Sequence, residues 1–281
     1  MNNSTVTFTT LASSANSTTQ SIGLIDSLQL FICSFTFLFG IPTHSYVIWL
    51  IITGTGNGLA SEFFIINLSV SEIGNCVFCF FDTMAIWFSN LRIVSYFLQG
   101  PGIAGRPLFL CLICVERYLA VVHPVTFLKY KPLRYRVICC SVVWIITLGS
   151  CLFCMFILMA LNVVAHGWFF ALQFALYLSI QLFCLVAVLR ALKQSGPGDR
   201  MREREEENNI KRRAFYLILI TTVNTIFIYV PFTASGIVRI VMKQNSLPLR
   251  LSALICYALA GFVQPVLYLH RTGKLSCLCS S

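Results

Sequence analysis

Long apolar runs, separated by short polar or basic breaks, fill this chain from about residue 26 to 270. A helix needs about 20 apolar residues to cross the hydrocarbon core of a bilayer. Seven runs of that length fit, at about 26–52, 62–86, 92–122, 137–161, 168–193, 211–242 and 249–269. They predict an all-α membrane protein, a seven-transmembrane helix bundle. Composition agrees: 57% of the 281 residues are hydrophobic and only 11% are charged, against about 25% charged in soluble domains. A mean hydropathy of +0.81 leaves too little polar surface for a water-soluble domain. The expected division is a disordered tail over 1–25, the helical domain over 26–270 and a short tail over 271–281.

The formal net charge is +10. The basic residues are split among short breaks rather than gathered on one face, which argues against nucleic acid. Lys and Arg collect in cytoplasmic loops, so Lys129, Lys131, Arg134 and Arg136, the basic positions between 200 and 213, and the C-terminal tail are expected inside. The N-terminus is then outside, in the plasma membrane. Asn2, Asn3 and Asn16 each open an N-x-[ST] sequon in a tail rich in Asn, Ser and Thr, and are candidate glycosylation sites. Of 13 cysteines, eleven lie in apolar runs, where Cys behaves as a small hydrophobe, so no disulfide is expected. Cys277 and Cys279 lie in the C-terminal tail and are candidate lipidation sites.

At the end of the third run stands Glu116-Arg117-Tyr118, followed by His123-Pro124. Adjacent opposite charges at a helix end are costly to desolvate, so Glu116 and Arg117 are expected to pair near the interface. The sixth run holds Phe227-Ile-Tyr229-Val-Pro231-Phe232, where proline removes a backbone hydrogen bond and sets a hinge. The seventh holds Gln264-Pro265-Val-Leu-Tyr268, the second Asn67-Leu-Ser-Val-Ser-Glu72, the first Gly40-Ile-Pro42-Thr-His44, and the fourth Trp144. In this order the motifs resemble those of class A (rhodopsin-like) G-protein-coupled receptors, over about residues 25–275. Gly40-x-Pro42 and Val230-Pro231-Phe232 look most like the purinergic and lipid-receptor branch.

The pattern is degenerate. Gln264 stands where the resemblance implies Asn or Asp, Glu72 where it implies Asp, and His44 where it implies Asn. Arg92 stands where the family carries the cysteine of a disulfide to the second outer loop. The break over 162–167 has no cysteine either. The fifth run lacks the family's mid-helix proline. Gly100-Pro-Gly-Ile-Ala-Gly-Arg-Pro107 should kink or unwind the third helix.

Arg106 lies about 16 Å along its helix from Arg117, and Glu72 is about 15 Å deep in the antiparallel neighbour, at 1.5 Å per residue. An unpaired charge at that depth costs about 2.5–3.5 kcal/mol. The resemblance implies a sodium site around the acid. Two arrangements are open. Arg106 replaces the ion against Glu72, with His44 and Gln264 as polar partners, or Glu72 is protonated and Arg106 bonds the carbonyls freed by the broken helix.

The resemblance further implies a switch built from Glu116, Arg117, Tyr118, Pro124, Tyr229, Pro231, Pro265 and Tyr268. Its expected partners are a heterotrimeric G protein, an extracellular small-molecule ligand and membrane lipids. Tyr96, Gln99, Arg239, Lys243 and Arg250 are the candidate ligand contacts. Gln99 is neutral where amine receptors carry an acid, and the basic three suit an anion such as a nucleotide, carboxylate or lipid headgroup. No cofactor is expected, and no metal-ligand spacing, nucleophile elbow or phosphate loop suggests an enzyme. The competing readings are a non-signalling or degenerate seven-helix protein and a transporter, which would show internal repeats.

Overall fold

The computed structural model describes residues 24–54, 62–130, 132–193, 201–242 and 247–272. Among them the chain is almost wholly helical. Six helices are long and apolar enough to cross a membrane, at Ser27–Thr53, Phe63–Met84, Leu133–Met159, Val164–Lys193, Lys211–Val238 and Leu251–Arg271.

The elements run α1 (Leu24–Thr53), α2 (Phe63–Met84), a 3-10 turn (Ser89–Leu91), α3 (Arg92–Leu98), a π-helical turn (Pro101–Gly105), α4 (Arg106–Val122) and α5 (Pro124–Tyr130). Then follow α6 (Leu133–Met159), α7 (Val163–Lys193), α8 (Met201–Met242), α9 (Leu247–Gly261) and α10 (Val263–Arg271). The third apolar run, expected as one helix over 92–122, is thus divided into three, and no piece of it is long enough to count as a span alone. The cause is Pro101 and Pro107, which lack the N–H that a continuous α-helix needs.

Lipid offers no water to freed backbone groups, so the protein must satisfy them. The Arg106 amide reaches back to the Pro101 carbonyl, closing the wider π turn. Ser71 Oγ of α2 donates to the same carbonyl at 3.1 Å. Pro107 leaves the Ile103 carbonyl without its amide, and Tyr229 of α8 donates its hydroxyl hydrogen there at 3.2 Å. The break lies deep in the bundle: Pro101–Gly105 is wholly buried. A Cβ on Gly100 would lie 2.8 Å from Cys151 Cα in α6, and one on Gly105 would strike the Ser71 hydroxyl. Small residues let helix backbones approach this closely.

Two further boundaries differ from expectation. The residue 162–167 break is not a loop, because α7 begins at Val163. Asn162 Oδ1 accepts the Ala165 amide at 3.0 Å as a helix N-cap, and Leu161 makes the turn at φ 54°. Arg136, expected in a loop, lies in the first turns of α6 and is buried.

Apolar clusters bind the bundle. Phe64 and Leu68 of α2 meet Phe109, Leu110 and Ile113 of α4 and Val143 of α6. Val47, Leu50 and Ile51 of α1 meet Tyr268 and Leu269 of α10. Cys114 of α4, Cys184 and Val188 of α7 and Ile218 of α8 form a third. Outward faces are equally apolar, with Phe31, Trp49, Ile145, Leu172 and Phe183 exposed, as a surface turned to lipid requires.

Candidate functional site

The centre of the bundle holds a two-pronged ion pair. Arg106 Nε and Nη2 both donate to the Glu72 carboxylate. Arg106 is 2% exposed and Glu72 4%, so neither charge has water to fall back on. Such a pair is tolerable only with well-matched geometry and further bonds for the remaining protons. Tyr257 of α9 supplies them: its carbonyl accepts Arg106 Nη1 at 3.5 Å, and its ring lies 4.5 Å from the guanidinium. Its hydroxyl donates to Asn75 of α2. The carbonyls at the break take the hydroxyls of Tyr229 and Ser71, not the Arg106 guanidinium.

His44 and Gln264, expected as partners of the pair, bond to neither charge. Gln264 Nε2 donates to Thr221 at 3.4 Å, and His44 Nδ1 is buried without a hydrogen-bond partner. Tyr257 occupies the role assigned to them. Nothing in the sequence flagged it, since a tyrosine in an apolar run reads as core.

At the end of α4 the charges pair differently from expectation. Glu116 does not take its neighbour Arg117. Its Oε1 accepts Arg136 Nη2 from α6. Arg136 lies 5.8 Å above the Phe64 ring, which fixes it beside α4. Arg117 Nε is buried without a hydrogen-bond partner. Arg117 lines a cleft with Thr221 of α8 and with Gln264, Tyr268 and Arg271 of α10. Arg271 donates to Glu62 at the start of α2, tying the two ends together. Tyr118 is held by His123 at 3.0 Å and stands edge-on to Phe183. Pro124 opens α5, where its missing N–H costs nothing.

The model of the family described as 7 transmembrane receptor (rhodopsin family) matches residues 44–169. Chemokine XC receptor 1 of Mus musculus is 27% identical, over 60% of this chain and 57% of its own length. Hydroxycarboxylic acid receptor 2 of Rattus norvegicus is 25% identical, over 70% of this chain and 59% of its own. C-C chemokine receptor type 8 of Homo sapiens is 26% identical, over 73% and 61%. The match to the rhodopsin-like receptor family covers residues 44–169, and the relatives that accompany it are receptors by name. It spans a little under two thirds of the length of these relatives. Their names do not carry the purinergic or lipid sub-branch expected from Gly40-x-Pro42 and Val230-Pro231-Phe232.

The other motif residues fall as follows. Trp144 of α6 donates to Asn67 of α2 at 2.9 Å. Tyr229 is fully buried between Phe170 and Phe174 of α7, parallel to the second at 5.5 Å. Pro231 lies inside α8 two residues on, and Pro265 is buried in the first turn of α10. Helices α9 and α10 part at Phe262, just before Gln264-Pro265.

At the opposite end from Arg117, Gln99 Oε1 meets His166 Nε2 of α7 at 3.1 Å, and Tyr96 is half-buried. Arg92 is exposed. A contact that sequence reading missed closes this end. Asp82 of α2 accepts Gln29 of α1 at 2.8 Å and Ser95 of α3 at 3.0 Å. Three helices are joined there by one carboxylate. The described cysteines are free thiols. Lys243, Asn2, Asn3, Asn16, Cys277 and Cys279 lie outside the described residues, as do the side chains of Arg239 and Arg250.

Proposed function

We propose that this chain is a plasma-membrane receptor whose seven-helix bundle passes the binding of an extracellular ligand to a heterotrimeric G protein. The observation that carries the reading is Arg117, its Nε bare in a cleft beside Tyr268 at one end of the bundle. A buried, unpartnered guanidinium nitrogen is costly unless something docks on it. In this reading Arg92–Val122, bent at its π turn, is the seventh crossing. The basic residues gather at the Arg117 end, from Lys129 to Arg136, Lys211 to Arg213 and Arg271. That density supports this end being cytoplasmic and the N-terminus outside.

Activation is then a shift between two populated arrangements. α8 swings about Pro231, the cleft widens, and Arg117 and Tyr268 meet the G protein. An anionic ligand is favoured. Arg239, Lys243 and Arg250 lie near the opposite end in sequence, and a relative is named for hydroxycarboxylic acids. The test is surface expression followed by a G-protein activation screen against nucleotides, carboxylates and lysophospholipids. The reading expects one of these classes to raise activation, and expects R239A/R250A to abolish that response. A surface-delivered chain that leaves every G-protein class silent would favour a non-signalling protein instead.

A further inference from the structure

Two successive contacts run along the seam between α1 and α2 at the end opposite Arg117. Gln29 of α1 donates to Asp82 of α2 at 2.8 Å. Cys33 follows Gln29 by four residues and Cys79 precedes Asp82 by three, one turn on each antiparallel helix. The next pair along the seam is therefore a pair of thiols, and they meet: the Cys79 thiol contacts that of Cys33. Both residues are buried, Cys79 at 4% exposure and Cys33 at 5%, and both are free thiols in the structure. The helices stay close further in, where a Cβ on Gly40 would strike Cys76 Sγ. By rise per residue Cys79 lies about 4.5 Å deeper than Asp82, which is half-buried.

We propose that Cys33 and Cys79 are oxidised to a disulfide that staples α1 to α2 at the outer end of the bundle. This rests on the reading above that puts this end outside the cell. Disulfides form in the secretory compartment and persist at the cell surface. The oxidant is a protein disulfide of that compartment, met before α1 and α2 close over the two sulfurs. One cysteine thiolate attacks the oxidant, forms a mixed disulfide and releases one oxidant thiol. The second cysteine attacks the mixed disulfide, closes the Cys33–Cys79 bond and releases the other. The pair gives up two protons and two electrons, which the oxidant takes up as two thiols. The staple ties down an end where Arg92 stands in place of the cysteine that the resemblance implies. Apart from packing, Gln29–Asp82 is the contact that holds α1 there. The apolar surroundings that make these cysteines read as small hydrophobes also hide their pairing across two helices.

The experiment cuts the chain between the two cysteines. A protease site is inserted between Thr53 and Phe63, and surface chains are captured from intact cells through an N-terminal tag. N-ethylmaleimide is present before and during denaturation, so that no bond forms after lysis. After cleavage, most of the wild type is expected to run as one species on a denaturing gel without reductant. With reductant it should separate into the α1 fragment and the remainder. C33S and C79S should each separate without reductant, and C76S should stay joined. If the inserted site prevents delivery, the uncut wild type carries the test. Its free thiols are blocked, the disulfides reduced and the new thiols labelled, and mass spectrometry should find the label on Cys33 and Cys79. Wild-type fragments that separate without reductant overturn the inference, as does label absent from these two cysteines. Fragments that stay joined in C33S or C79S, or that separate in C76S, assign the link to other cysteines and overturn it too. A tag reached from outside on a chain whose thiols are free overturns this inference alone. A tag reached only after permeabilisation overturns the outside N-terminus and this inference together.

Discussion

Tyr229 donates its hydroxyl hydrogen to the Ile103 carbonyl at 3.2 Å, the group that Pro107 leaves without an amide. The same hydroxyl lies 3.4 Å from the Gly102 carbonyl. A side chain of α8, two residues before its proline, thus closes the break in the third run. The helix expected to swing and the helix that is broken are joined at one atom.

That junction makes a coupling prediction. Tyr229→Phe leaves a buried carbonyl unsatisfied and should cost about 1–2 kcal/mol. Pro107→Ala returns an amide to Ile103, so the phenylalanine should cost less in that background. Thermal unfolding of the detergent-solubilised chain, followed by a thiol-reactive dye on its buried cysteines, reads both. Equal losses in the two backgrounds would mean that the hydroxyl and the proline are independent.

The buried pair predicts a different pattern. Glu72→Gln leaves Arg106 uncompensated in the bundle centre and should cost about 3–5 kcal/mol, enough to abolish surface delivery. Glu72→Leu with Arg106→Met removes both charges and should recover much of it. Flow cytometry of a surface tag measures the difference. Because the guanidinium fills the place beside the acid, the melting temperature should be the same in sodium chloride as in choline chloride. A rise specific to sodium would show that an ion still enters.

Backbone approach predicts a contrast between glycines. Gly100→Ala would put a Cβ 2.8 Å from Cys151 Cα, with backbone on both sides, and should lower the melting temperature by several degrees. Gly149→Ala meets nothing within 4 Å in α6 and should be neutral or stabilising by about 0.5–1 kcal/mol. The same melting assay compares them. Equal behaviour would place the close crossing of the third run and α6 in error.

At the end opposite Arg117, Asp82→Ala should loosen the joint between α1, α2 and α3 and cost about 1–3 kcal/mol. Asp82→Asn, which keeps an acceptor oxygen for Ser95, should cost less. Cleavage by a soluble protease added outside intact cells, compared between the two variants, checks this; equal sensitivity would remove Asp82 from that role.

The apolar runs were legible because length alone sets a spanning helix, and Glu72 and Arg106 were legible because rise per residue sets depth. Azimuth was not. A helix apolar on every face does not announce which side turns inward, so Tyr257, Asn75 and Asp82 passed unnoticed. Arg136 was misplaced for a related reason. Helix α6 starts several residues earlier than its apolar run, and that extra turn carries the guanidinium inward to Glu116. The broken third run was foreseen from Pro101 and Pro107, but the donors that repair it lie on other helices and no local pattern names them.

The most direct measurement is guanine-nucleotide exchange on purified heterotrimeric G protein by membranes carrying wild type or Arg117→Ala at equal surface density. Exchange above empty membranes by the wild type, alone or with an agonist from the anion screen, and its loss of at least about ten-fold in Arg117→Ala is the expected result. Equal exchange by the two chains would contradict the account, because Arg117 would then carry no signal.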